Sequence, residues 1–322
     1  MISAEWLYWL IGAFFLAVAV HILTDRNRPQ RLGSALFWGI LGISFFYGTF
    51  VQFGHAPPWI LGIAVLVMVV LAGFGFTKPG EAKTTDAAQR VRFADRFGNR
   101  LFIPALAIPV VTVLVATLGP VVMINGKPLL AAGTATLTGL GIAAIVATVI
   151  GFAILRPPKL STPLTEGGRL LEAIGWAALL PQMLSTLGSL FTQAGVGTAV
   201  GAITKNLIAP GSLIAAVIVY VVGMTLFTVI MGNAFAAFPI MTAAVGWPVL
   251  VQTFHGSPAP VFAIGMLAGF CGTLMTPMAA NFNLVPAALL EMKDKYGPIK
   301  AQLPTAGLLV VVNIGVMYFV AF

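Results

Sequence analysis

From residue 206 to residue 290 the chain contains no Asp, Glu, Lys or Arg. A water-soluble fold keeps its surface hydrated with charge, so an uncharged stretch of this length belongs in lipid or in a protein core surrounded by lipid. The rest of the chain agrees, with 59% hydrophobic and 8% charged residues in 322, against about 25% charged in an ordinary soluble domain. Basic residues outnumber acidic ones, 17 to 9, but the surplus sits in loops between apolar runs. It therefore reads as membrane topology and not as a nucleic-acid footprint. Cys271 is the single cysteine and lies in an apolar segment, which excludes a disulfide framework and a multi-cysteine metal site.

The first apolar run, Trp6 to Leu23, has no basic residue before it and Arg26, Arg28 and Arg31 after it. An export signal has the opposite polarity, so this run is expected to be a retained span. A hydrocarbon core about 30 Å thick requires ~20 helical residues. That ruler predicts spans near 5–23, 33–53, 58–76, 101–124 and 129–155, with a last one near 303–321. Trp6, Trp9, Trp38, Trp59 and Tyr318 fall toward span ends, as interfacial anchors do. Three basic residues occupy 24–32, six occupy 77–100 (Lys78, Lys83, Arg90, Arg92, Arg96, Arg100) and three occupy 156–169, whereas the loop around His55 has none and the next has only Lys127. Cytoplasmic loops accumulate Lys and Arg, so this alternation places the N-terminus outside and the 77–100 connector, with an amphipathic helix in it, in the cytoplasm. The expected organisation is a five-span region over 1–169 and a second region over 170–322.

The simple pattern ends after Arg169. Residues 170–206 are too many for one crossing and contain Pro181, Gly188, Gly195, Gly197 and Gly201. Two apolar arms follow, about 211–231 and 235–250, joined by Gly232-Asn233-Ala234 with no charged loop. A further piece, about 260–292, is interrupted at Thr276-Pro277 and carries Asn281, Asn283 and Pro286. Lys293, Lys295 and Lys300 belong inside again, a parity met by a broken crossing, a re-entrant hairpin entered from outside and a second broken crossing. The fold class expected is thus all-α: a polytopic transmembrane helical protein with a re-entrant hairpin and broken helices.

Broken backbone at membrane depth frees N–H and C=O groups that cost several kcal/mol apiece in hydrocarbon unless protein, water or a ligand meets them. Discontinuous helices are for this reason the recurrent substrate and ion sites of secondary transporters. The candidate substrate-binding residues are Gly232, Asn233, Ala234, Thr276, Pro277, Asn281 and Asn283. Asn283 is expected to cap the half-helix that follows it, with Pro286 in its first turn, and Asn233 to cap the arm after the hairpin tip. Each also has a plainer reading, since intramembrane Asn often joins helices and membrane Gly and Pro often only serve packing. Gly195, Gly197 and Gly201 are spaced for close helix approach. Glu172, near Arg169, and Glu291, near Lys293, read as interfacial residues, and His21 and His255 as span-end residues.

Three motifs in order, Phe191-Thr192-Gln193-Ala194-Gly195-Val196-Gly197, Met231-Gly232-Asn233-Ala234-Phe235-Ala236-Ala237 and Gly272-Thr273-Leu274-Met275-Thr276-Pro277-Met278-Ala279-Ala280-Asn281, resemble the C-terminal half of the ion-transporter superfamily. Gluconate permeases and divalent-anion symporters are its familiar members. The chain as a whole also resembles an uncharacterised bacterial inner-membrane family, whose members are often encoded beside a shorter membrane protein and beside pyroglutamate-handling enzymes. These resemblances imply an elevator-type transporter in the bacterial inner membrane. Its hairpin and broken helix would clasp a small organic anion, pyroglutamate being the specific expectation. Asn233 would take the place of the hairpin-tip asparagine, and Thr276, Pro277 and Asn281 the places in the broken helix. Gly232 and Ala234 replace the hydroxyls that flank that asparagine in sodium-coupled members, which favours proton coupling or a cation held by backbone alone. No matching hairpin is found in residues 1–155, where Gly133 to Gly139 reads as packing within an ordinary span. The missing half implies a second membrane subunit or a second copy of this chain.

Other function classes are weaker. No phosphate-loop motif of an ATP-driven pump occurs, and three scattered histidines cannot build a metalloprotease site. Ser185 or Ser189 facing His255 would be needed for a serine-type intramembrane enzyme, and no motif supports it, so no enzymatic activity and no cofactor beyond a coupling ion, proton or sodium, is expected. An ion channel, whose filter would also use broken helices, and a non-transporting structural subunit stay open as rivals.

Overall fold

In hydrocarbon the backbone of a single segment can satisfy its own polar groups only as a helix, and helices account for nearly all regular structure in this chain. The computed structural model describes residues 3–26, 28, 30–78, 80, 86–124, 126–130, 132–157, 159–209 and 211–322. Fourteen α-helices follow one another among these residues: α1 (Glu5–Thr24), α2 (Arg31–Gln52), α3 (Trp59–Gly73), α4 (Ala87–Phe97), α5 (Phe102–Leu118), α6 (Ala135–Leu155), α7 (Thr162–Ile174), α8 (Leu180–Gln193), α9 (Val196–Leu207), α10 (Leu213–Met231), α11 (Ala234–Met241), α12 (Pro258–Leu274), α13 (Leu284–Leu289) and α14 (Gly297–Val320). Eight described helical stretches are long and apolar enough to cross a membrane: Glu5–Thr24, Arg31–Gln52, Ala88–Leu118, Ala135–Leu155, Thr162–Gln193, Leu213–Met231, Ala234–Thr253 and Gly297–Val320. The chain is a multi-pass membrane protein. Lys83, counted among the basic loop residues, lies outside the described residues, as do the side chains of Lys127 and Lys205.

Several boundaries differ from the sequence reading. The span expected over 101–124 ends at Leu118, and the one expected from 129 begins at Ala135. Between them Met123–Ile124 and Lys127–Pro128 pair as a two-residue antiparallel ladder, which turns the chain around Gly126, at φ 73°. The expected span over 58–76 is a helix of only 15 residues. The final helix starts at Gly297, well before 303, because Pro298 fits its first turn, where no N–H is needed. Residues 170–206 form parts of three helices: a five-residue 3-10 turn joins α7 to α8, and Gly195, at φ 71°, parts α8 from α9.

The chain divides into two compact units, Met1–Glu172 and Ala173–Phe322. In the first, α1 and α2 approach along Gly12 and Gly42, where a Cβ on either would lie 2.9 Å from the other's carbonyl oxygen. Small residues allow such contact between backbones, the main source of helix affinity in lipid. Several polar groups in this unit are paired. Trp9 Nε1 donates to Thr49 Oγ1 at 2.9 Å, and that hydroxyl donates to Glu5 Oε2 at 2.5 Å. Arg28 pairs with Glu172, their side chains being 8% and 12% exposed. Arg169, the expected neighbour of Glu172, has its ion pair with Glu166 at 2.8 Å.

The second unit is built around α10. Ala216, Val217, Tyr220, Val221 and Met224 recur at helical spacing and are fully buried among Val261, Ile264 and Ala268 of α12 and Met317 of α14. Gly265, Gly269 and Gly272 line the facing side of α12. A Cβ at Gly265 would lie 2.5 Å from the Tyr220 hydroxyl, and one at Gly272 would lie 2.5 Å from the Thr225 carbonyl. The Thr225 hydroxyl crosses the interface to the Ala268 carbonyl at 3.1 Å. The pairing of α10 with α12 is thus tight.

Candidate functional site

The helix α10 stops because Gly232 adopts φ 70° and ψ 4°, a left-handed conformation that glycine enters without Cβ strain. Its N–H still reaches the Thr228 carbonyl at 2.7 Å, closing the last turn. Asn233 then opens to φ −146° and ψ 117°, and its Oδ1 accepts from the Phe235 N–H at 2.9 Å. It is the N-cap of α11, as its sequence context suggested. The first-turn N–H groups of Ala234 and Ala236 make no hydrogen bond among the described residues, and neither does Asn233 Nδ2. Beyond Met241 the helix continues in π form from Thr242 to Thr253, with Pro239 and Pro248 inside the run. The arms of this hairpin have 19 and 20 residues, each enough for a full crossing.

The second break follows α12. Met275 N–H bonds the Gly272 carbonyl at 3.1 Å and the helix ends, since Pro277 offers no N–H and pushes Thr276 out of helical geometry. Thr276, 3% exposed, accepts the Met278 N–H on its hydroxyl at 3.2 Å. Asn283 is fully buried, and its Nδ2 donates to the Thr273 carbonyl at 2.8 Å and the Thr276 carbonyl at 2.7 Å. It makes no side-chain cap to α13, which corrects the expectation that it caps the half-helix after it. The reason is that α13 spans only Leu284–Leu289, whereas the carbonyls at the end of α12 are buried and need a donor. Its Oδ1 is buried without a partner.

The two breaks meet. A Cβ on Gly232 would lie 2.6 Å from the Met278 carbonyl carbon and 2.7 Å from its oxygen, so the hairpin tip rests directly on the interrupted segment. Around that contact is a cavity of about 130 Å³ lined by Gly232, Asn233, Ala234 and Asn281, together with Thr273 and apolar groups of α8 and α12. Of the seven candidate residues, these four come together at the cavity. Thr276, Pro277 and Asn283 do not line it, and Thr276 and Asn283 serve to hold the break in shape. Ala234 is 1% exposed and lies where a Cβ on Gly269 would meet its own at 3.0 Å, so it also packs the tip against α12.

A second cavity, about 170 Å³, opens on the other side of Asn233 along α8. Ser185, Ser189 and Thr192 line it with Asn233, Phe235 and Pro239. Ser189 donates to the Ser185 carbonyl at 3.3 Å and Thr192 to the Gly188 carbonyl at 3.0 Å, which leaves their oxygen lone pairs to accept. Ser185 and Ser189 entered the sequence reading only as conceivable partners of His255, and Thr192 and Thr273 only as motif positions, not as binding residues. Their signal was the helical spacing of 185, 189 and 192, one stripe on one face. Gly188 lies on the same helix, and a Cβ there would come within 2.7 Å of the Ala236 side chain, so α8 packs closely against the first turn of α11.

No formal charge falls within either cavity. The polar field there comes from the N-terminus of α11, equivalent to roughly half a positive charge at a helix end, from the Asn233 amide and from the α8 hydroxyls. Among the described residues no group of three or more His, Cys, Asp or Glu is placed to hold a metal ion.

The profile of one family, described as a protein of unknown function (DUF979), matches residues 5–322. No curated protein and no solved structure matches the chain. Because the match runs through both units and both breaks, the chain belongs to the DUF979 family.

Proposed function

We propose that the protein is a secondary transporter, or the solute-binding subunit of one, for a small organic anion driven by an ion gradient. The observation that carries this reading is the seating of the Gly232-Asn233 tip on the Met278 segment, with free N–H donors of Ala234, Ala236 and Asn233 beside two cavities. A carboxylate needs such donors, and a helix N-terminus supplies them without a lysine or arginine. Pyroglutamate heads the substrate order, on the resemblance noted from the sequence. In this reading the two arms form a re-entrant hairpin that moves with the broken helix, as in elevator carriers, in a bacterial inner membrane with the N-terminus outside. Coupling rests on a proton or on sodium. The exposed hydroxyl stripe of α8 is costly against lipid, which favours a second membrane subunit, or a second copy of this chain, covering it.

The test is a thermal-shift screen of the purified protein, with any co-purifying subunit, against small carboxylic acids with and without sodium. A ligand that binds only the native state raises its unfolding temperature, and a rise with one carboxylate is expected. A flat response across all of them removes the substrate class. Conduction of inorganic ions at channel rates by reconstituted protein would replace the carrier with a channel.

A further inference from the structure

We propose that α4 is an interfacial helix whose Arg92 and Arg96 bind the phosphate of anionic phospholipid headgroups. The helix is set firmly at its start, where Asp86 Oδ1 accepts the Gln89 N–H at 2.6 Å. Gln89, Arg92 and Arg96 follow at three- and four-residue spacing and share one face, and with Phe93 they line a shallow groove. Both guanidinium groups are held. Arg92 Nε donates to the Ala88 carbonyl at 3.4 Å, and Arg96 lies 5.2 Å over the Phe97 ring. The terminal N–H forks of the two arginines match the geometry of a phosphate, which accepts in bidentate fashion. Phe93 and Val91, 45% and 61% exposed, give the helix apolar groups that water does not favour.

Position selects the source of the phosphate. Only the four-residue 3-10 turn Gly98–Leu101 separates α4 from the apolar helix α5. At about 2 Å per residue that turn spans about 8 Å, comparable to the headgroup layer outside the hydrocarbon. The arginines therefore lie at headgroup depth beside exposed aromatic and aliphatic side chains, the pattern of helices that rest in the membrane surface. Over residues 86–100, Arg90, Arg92, Arg96 and Arg100 outnumber Asp86 and Asp95, and anionic headgroups answer that surplus.

The experiment uses the full-length protein in detergent, with bound lipid read by native mass spectrometry and stability by thermal shift. Wild type is expected to retain several-fold more phosphatidylglycerol than phosphatidylcholine and to gain stability from the former. The Arg92→Gln/Arg96→Gln variant is expected to bind both lipids equally, while Arg92→Lys/Arg96→Lys keeps part of the preference because charge without the fork remains. Both side chains are exposed, so the fold is expected to survive; if the glutamine variant does not fold, the wild-type preference and the lysine variant decide. Equal retention of the two lipids by wild type, or unchanged preference in the glutamine variant, overturns the proposal. So does stabilisation by inorganic phosphate alone as large as that by phosphatidylglycerol, which would indicate a free-anion site. The readout requires no transport, so its failure and the failure of the transport reading are separate.

Discussion

Asn283 Nδ2 bonds the Thr276 carbonyl at 2.7 Å while the same nitrogen serves the Thr273 carbonyl at 2.8 Å. One buried amide thus ties the end of α12 to the start of the segment that follows it. The orientation of the amide follows from its partners, since a flipped group would set its oxygen against two carbonyl oxygens. The break is therefore a built feature, closed on itself by a side chain ten residues downstream of Thr273, and not a frayed helix end.

That arrangement predicts a strong asymmetry between two substitutions. Asn283→Ala leaves two buried carbonyls without donors, each costing about 1–3 kcal/mol. Asn283→Asp keeps the shape but, when ionised, sets a charge against the same carbonyls. Thermal unfolding in detergent is expected to rank wild type above Asn283→Ala and Asn283→Ala above Asn283→Asp. An aspartate variant as stable as wild type would mean that the two bonds contribute little.

Gly232 is expected to tolerate nothing larger. Its left-handed φ of 70° costs a non-glycine residue about 1 kcal/mol or more, and the added Cβ of Gly232→Ala would collide with the Met278 backbone at 2.6 Å. Since the obstacle includes main chain, truncating Met278→Ala in the same protein is not expected to restore stability. Recovery of the unfolding temperature in the double variant would show that the side chain alone was in the way.

Asn233 has two roles that can be separated. Its Oδ1 caps α11 through Phe235 N–H, while its Nδ2 stands at the cavities. Asn233→Ser retains a capping oxygen and loses the amide donor, whereas Asn233→Ala loses both, with about 1 kcal/mol from the cap. Uptake into proteoliposomes is expected to fall in both variants, but the unfolding temperature only in Asn233→Ala. Normal uptake by Asn233→Ser would confine the residue to a structural part.

The contrast between these residues shows what the sequence made legible. Gly232, Asn233 and Thr276-Pro277 stood out because glycine, a capping amide and proline act on their own backbone, so their effect is written locally. Asn283 was misplaced for the opposite reason: nothing near it in sequence distinguishes capping the next helix from bonding back to Thr273, and burial of the α12 carbonyls decides between them. The hydroxyls of Ser185, Ser189 and Thr192 were not read as binding residues because nothing local in the sequence joins them to Asn233. Only the close seating of Gly188 against Ala236 brings their stripe to Asn233. Helix ends near 118 and 135 were likewise set by a two-residue ladder too short to carry a pattern.

The ion pair of Arg28 with Glu172 offers a test in the first unit that is independent of any solute. With side chains 8% and 12% exposed, the charges are largely removed from water, and Arg28 Nε and Glu172 Oε1 are buried without hydrogen-bond partners. Such a pair adds little net stability because desolvation offsets attraction, yet removing one partner strands the other charge at a cost of roughly 3–5 kcal/mol. Arg28→Met and Glu172→Leu are each expected to lower the unfolding temperature markedly, and the double variant to recover most of the loss. Single variants that both unfold near the wild-type temperature would mean that the two charges are solvated in the folded protein. Losses that simply add would mean that each side chain contributes through its own packing rather than through its partner.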